Sequence, residues 1–107
     1  MRGELITIAL QGDFGKPRPA LVIQADVFSA LDSVTVIPLT SALHETPLIR
    51  FTLHPAKGNG LRKVSQLAID KIQTVHRNKV GNAFGKISTT ELIEVERLVA
   101  AFLGISE

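Results

Sequence analysis

Cysteine, tryptophan and tyrosine are all missing from this 107-residue chain, and phenylalanine occurs only five times. Without cysteine there can be no disulfide, no thiolate nucleophile and no Cys-based zinc site. Such a chain suits a reducing compartment, and the cytoplasm is the expected location. The three histidines, His44, His54 and His76, show no metal-ligand spacing, so neither a metal nor a cofactor is expected. No apolar run approaches the ~18 residues of a spanning helix. Glu4 stands where a signal peptide would need an apolar stretch, so no membrane partner is expected. Phosphate-cradling glycine loops of the nucleotide-binding types do not occur, nor does a Gly-x-Ser-x-Gly nucleophile elbow.

What remains is the make-up of one small globular domain over residues 1–107, long enough to bury a core by itself. The net charge of +2 is unevenly spread. From Ser88 onward four acids (Glu91, Glu94, Glu96, Glu107) face one base, Arg97, whereas the rest of the chain is basic. That pattern fits a solvated acidic helix beside a mildly basic body, or a basic surface suited to phosphate.

Most of the chain reads as short strands. From Glu4 to Leu10, Ile6, Ile8 and Leu10 alternate with Leu5, Thr7 and Ala9. Ala20-Leu21-Val22-Ile23 is a continuous apolar run, as for a strand covered on both faces, and Val34-Thr35-Val36-Ile37 is β-branched with Pro38 as its expected end. Leu48 to Leu53 predicts Ile49, Phe51 and Leu53 inward with Arg50 and Thr52 outward. Ser65 to Ile69, Ile72 to Val75 and Ala83 to Ile87 complete the set, and a short helix is expected after Asp26. Ser88-Thr89-Thr90-Glu91 fits a capping box ahead of Leu92, Val95, Val99 and Phe102, with Gly104 as the stop. These elements predict a mainly β fold, a small barrel or sandwich of five to seven strands with one C-terminal α-helix.

Three stretches carry candidate chemistry. In Lys16-Pro17-Arg18-Pro19 two prolines fix the backbone around Arg18, which suits an arginine that meets a phosphate in one geometry, or simply a stiff surface loop. Pro38-Leu39-Thr40-Ser41 sets two hydroxyls after a strand, as a turn or as neutral donors to a phosphoryl oxygen. Gly60-Leu61-Arg62-Lys63-Val64-Ser65 is a basic turn leading towards Asp70, a carboxylate among apolar residues that needs a partner: Lys71, Lys63 or Arg18.

In their order along the chain these pieces resemble the MazF/PemK/Kid toxins from Arg2 to about Leu103. The matching stretches are Arg2-Gly3-Glu4-Leu5, Arg18-Pro19-Ala20-Leu21-Val22-Ile23, Pro38-Leu39-Thr40-Ser41, Gly60-Leu61 with Ser65, Asp70-Lys71-Ile72-Gln73-Thr74-Val75, and the capped helix. The resemblance implies an SH3-like β-barrel of the MazF/CcdB type with a C-terminal helix, assembled as a homodimer. It implies the toxin of a type II toxin–antitoxin system, inhibited by a cognate antitoxin. Its activity would be metal-independent, sequence-specific cleavage of single-stranded RNA (mRNA) by 2′-hydroxyl attack, leaving a cyclic phosphate and a free 5′-hydroxyl. By the same resemblance Arg18 and Thr40 match the catalytic residues, and Asp13, which falls where the family carries a loop glutamate, is the expected general base. Glu4, Lys16, Ser41, Lys57, Arg62, Lys63, Ser65 and Asp70 are the expected RNA-binding set, with Glu4 and Asp70 as second choices for the base. This chain departs from the family in its short loop before Arg18 and in Ala68, where some members have arginine. Two alternatives remain open. One is a gyrase poison like CcdB, although the tryptophan such a protein uses is absent; the other is a member that binds antitoxin or RNA without cutting.

Overall fold

In the computed structural model, which describes residues 1–9 and 16–106, the alternating stretches become seven strands. These are β1 (Glu4–Ala9), β2 (Pro17–Val22), β3 (Ser33–Thr40), β4 (Arg50–Leu53), β5 (Ser65–Ala68), β6 (Gln73–His76) and β7 (Val80–Lys86), followed by helix α1 (Thr89–Phe102). All pairings are antiparallel, in the order β4-β5-β3-β2-β1-β7, with β6 also on β3. The long β3 makes this possible: its first half pairs with β6 and its last two residues pair with β5. Among the described residues no pairing joins β4 to β7, so the barrel-like sheet is open between them.

The sheet has two apolar faces. Leu5, Leu21, Ile37, Leu39, Leu53 and Leu67 cluster with Val95 of α1, which covers that face. Ile6, Ile8, Ala20, Val22, Val34, Val36 and Val75 cluster on the other. Period-two alternation therefore sends successive residues of Ala20-Leu21-Val22-Ile23 into different clusters, which explains the continuous apolar run. The helix is held as expected: Ser88 Oγ accepts from the Glu91 N–H at 3.1 Å, and Glu91 Oε1 accepts from the Ser88 N–H at 2.9 Å. Gly104, at φ +74°, ends it.

Prolines behave differently from expectation. Pro38 does not end its strand, since β3 runs on to Thr40. The Thr35 carbonyl accepts from Ile23 and Gln24, so by alternation the backbone of Pro38 faces away from β2. On that side the partner changes from β6 at Val36 to β5 at Leu39, and the missing N–H falls in the gap. Likewise β2 begins at Pro17, ahead of the expected Ala20. The Val22 carbonyl accepts from the Gly3 N–H on the β1 side, so Pro17 and Pro19 face β3, whose ladder with β2 extends only from Val22 to Ala20.

Three further expectations are corrected. The helix after Asp26 is only a 3-10 turn, Asp26–Phe28. The strand from Ser65 stops at Ala68 and turns through Ile69–Lys71. β4 starts at Arg50, and Arg50 is not outward: its side chain is 10% exposed and bonds to Asp70.

Candidate active site

The register of the sheet assembles the site. Arg18 on β2 lies opposite Ile8 of β1, and Ala20 two residues on lies opposite Pro38 of β3. Arg18 and Thr40 each lie two residues beyond that last pair of the ladder, and they line one groove. Thr40 in turn lies opposite Gln66 of β5, and Gln66 opposite Thr52 of β4. A cross-strand row thus runs Thr40, Gln66, Thr52, with Arg18 at its Thr40 end across the groove.

At the Arg18 end of the row is a groove of about 260 Å³, lined by Arg18, Pro19, Leu39, Thr40, Ser41, Lys63 and Ser65. Five of the residues singled out from the sequence meet here, although they come from three separate stretches. Arg18 is exposed on a backbone that its flanking prolines and the β1 ladder hold in place. Thr40 Oγ1 accepts from the Ala42 N–H at 3.1 Å, which starts the turn after β3 and leaves the hydroxyl proton for another acceptor. Ser65 Oγ donates to the Lys63 carbonyl at 3.2 Å, so this buried hydroxyl fixes the turn that carries Lys63. A guanidinium, an ammonium and three hydroxyls around one small groove form a receptor for a phosphate, with Arg18 able to meet two of its oxygens at once.

The other expected residues are distributed around this groove. Lys16 is exposed immediately before β2, and Arg62 is exposed on the turn beside Lys63. Lys57 lines a separate cleft of about 200 Å³ with Lys86, Ser88 and Glu91. Glu4 pairs with the amino terminus and lies opposite Lys86. It is four residues along β1 from the partner of Arg18, a separation of roughly 13 Å. Asp70 is not paired with Lys71, Lys63 or Arg18; its partner is Arg50, which donates to it from Nη1. Asp13 lies outside the described residues. Among the described residues no three of the His, Asp and Glu side chains gather at one point.

Sequence reasoning missed Gln66 and Arg50. An amide within the apolar stretch Ser65 to Ile69 was the available signal for Gln66, because a buried carboxamide must be serving something. Arg50 carried no local signal: its carboxylate partner is across the sheet turn, and Ala68, directly opposite Arg50, leaves room beside it.

Residues 1–103 match the family described as the PemK-like, MazF-like toxin of type II toxin–antitoxin systems. The chain is 42% identical over 106 residues to the probable endoribonuclease MazF of Mycolicibacterium smegmatis, covering 98% of this chain and 97% of that one. Its fold is similar to a mycobacterial endoribonuclease in complex with its cognate antitoxin, with a TM-score of 0.83 at 18% identity, over 100% of this chain and 97% of the other. The Mycobacterium tuberculosis toxin MazF-mt6 superimposes with a TM-score of 0.81 at 20% identity, over 94% of this chain and 96% of the other.

Proposed function

The chain belongs to the PemK-like, MazF-like family of type II toxin–antitoxin toxins, and from that premise we propose that it cuts single-stranded RNA by metal-independent transesterification. The observation that carries the reading is the groove that brings Arg18, Thr40, Ser41, Lys63 and Ser65 together, in a chain whose relative is named a probable endoribonuclease. Attack of a 2′-hydroxyl on the adjacent phosphate concentrates negative charge on the nonbridging oxygens and on the leaving 5′-oxygen. Arg18 balances that charge through its fork of donors, and the Thr40 proton goes to a nonbridging oxygen. Lys63, with Lys16 and Arg62 nearby, neutralises flanking phosphates. With five phenylalanines and neither tryptophan nor tyrosine, base readout leans on hydrogen bonds to base edges.

The test is incubation of the purified protein with a long single-stranded RNA in EDTA. Discrete fragments ending in a cyclic phosphate, with 5′-hydroxyl partners, are the expected result. Intact RNA, or cutting only when a divalent metal is restored, overturns the reading.

A cognate antitoxin and a second copy of the chain are its protein partners, and with RNA as substrate the cytoplasm is its compartment. An apolar groove of about 620 Å³, lined by Phe28, Leu31, Ile72, Val99, Ala100 and Ile105 among others, supports an assembled state, since exposed apolar surface of this kind is costly on a monomer. Light scattering is expected to give twice the 11.6 kDa of the chain at micromolar concentration; a value at the chain mass overturns the homodimer.

A further inference from the structure

Where β7 pairs with β1, Leu5 lies opposite Gly85 and Ile6 opposite Ala83, so Phe84 is the extra residue of a β-bulge. A bulge re-aims a side chain, and the Phe84 ring is 39% exposed. The loop between β4 and β5 is seated on this stretch. The Lys86 N–H donates to the Gly58 carbonyl at 3.0 Å. A Cβ on Gly60 would stand 2.9 Å from the Phe84 ring, and one on Gly85 2.3 Å from the Asn59 carbonyl oxygen, so only glycine lets the loop lie this close. Asn59, 2% exposed, sets the shape of the loop: Oδ1 accepts from the Ala56 and Leu61 N–H groups, and Nδ2 donates to the His54 carbonyl.

This seating gathers cations beside the ring. Lys57 and Lys86 line one cleft of about 200 Å³, and Lys86 is two residues from Phe84 on the same strand. Arg62 and Lys63 follow on the loop, and Lys63 lines the phosphate groove, at most ~21 Å along the chain from Lys57. All four side chains are exposed, and among the described residues none of them makes an ion pair or a hydrogen bond. The acids nearby are committed: Glu91 Oε1 accepts from the Ser88 N–H, and Glu4, opposite Lys86, pairs with the amino terminus. Arg2, Arg50 and Arg97, by contrast, each have a carboxylate partner.

Resting on the endoribonuclease reading, we propose that this loop and the end of β7 form a second subsite for single-stranded RNA, outside the groove where the phosphate is cut. Phe84 takes the face of one base, and Lys57, Lys86 and Arg62 meet backbone phosphates on either side of it. An exposed ring among uncompensated cations is the combination that single strands need, since every base has a face to stack and every linkage a charge to neutralise. The strand reaches the subsite from the groove along the loop that carries Lys63. Stacking is tolerant of sequence, so the subsite adds affinity and leaves the choice of cutting position to the groove. The duplex hides its base faces, which makes the subsite selective for unpaired RNA.

The experiment compares binding of two single strands centred on a mapped cut site, roughly 4 and 12 nucleotides long, with 2′-O-methyl groups that block cleavage. Wild type is expected to bind the long strand at least ~10-fold more tightly than the short one. Phe84→Leu is expected to reduce that advantage ~10-fold, and Phe84→Tyr, which restores a ring, to keep it. Lys57→Ala combined with Lys86→Ala is expected to shallow the salt dependence of long-strand binding by about 1.4, or 0.7 for each phosphate released. No advantage of the long strand in wild type, or an undiminished one in Phe84→Leu, overturns the inference, while cleavage in EDTA leaves the endoribonuclease reading standing. Variants that lose affinity for poly-glutamate and none for RNA also overturn it, and make the surface one for an acidic protein segment. A wild-type protein that cuts no RNA overturns both.

Discussion

Arg18→Ala is expected to slow RNA cleavage by ~10²-fold or more while RNA affinity falls only modestly. The reason is geometric. Arg18 is carried between Pro17 and Pro19 on a strand whose ladder to β1 holds it opposite Ile8, so its guanidinium approaches the groove from a fixed base. A group held in this way contributes most where charge develops, in the phosphorane-like transition state, and less to the ground-state complex. Arg18→Lys is expected to rescue little, because an ammonium keeps the charge and loses the fork. Thr40→Ala is expected to cost less than Arg18→Ala, since a neutral hydroxyl donates a weaker hydrogen bond than a charged group. Single-turnover cleavage beside a filter-binding measurement separates the two quantities. Wild-type cleavage by Arg18→Ala would exclude the proposed mechanism, whatever the fold.

Asp70→Ala is expected to destabilise the fold by about 3 kcal/mol, lowering the melting temperature by roughly 10 °C or more. Arg50 is 10% exposed and Asp70 29% exposed, and the arginine uses one nitrogen for both the Asp70 carboxylate and the Ile49 carbonyl. Arg50 Nε has no hydrogen-bond partner among the described residues. Removing the carboxylate leaves a guanidinium enclosed with its countercharge gone, which costs far more than an exposed pair would. Arg50→Met combined with Asp70→Leu is expected to recover most of the loss, because both charges then leave together. Denaturant midpoints of the three variants are the measurement. Wild-type stability in Asp70→Ala, with RNA binding abolished, would instead make Asp70 a direct RNA contact.

The capped helix was legible residue by residue, because its determinants are local. Ser88 and Glu91 are three apart, Leu92 and Val95 share a face by helical spacing, and Gly104 supplies the left-handed stop. The strands were legible as alternation, and the double-sided burial of β2 followed from its unbroken apolar run. Their ends were not: Pro38 inside β3 and Pro19 inside β2 break a rule about local hydrogen bonding that the neighbouring strands suspend, by offering no partner at those points.

The sequence by itself determined the fold class, the helix, and the identity of Arg18 and Thr40 as candidates, since each rests on short spacings or on an ordered set of short motifs. Only the tertiary structure decided which residues stand together. It brought Lys63 and Ser65 to the Arg18–Thr40 groove and left Lys57 in another cleft. It also gave Asp70 to Arg50 and the Gln66 amide to His44. The physical reason is register: a cross-strand neighbour is fixed by pairings between segments far apart in the chain, and a shift of one residue would turn every such side chain to the opposite face.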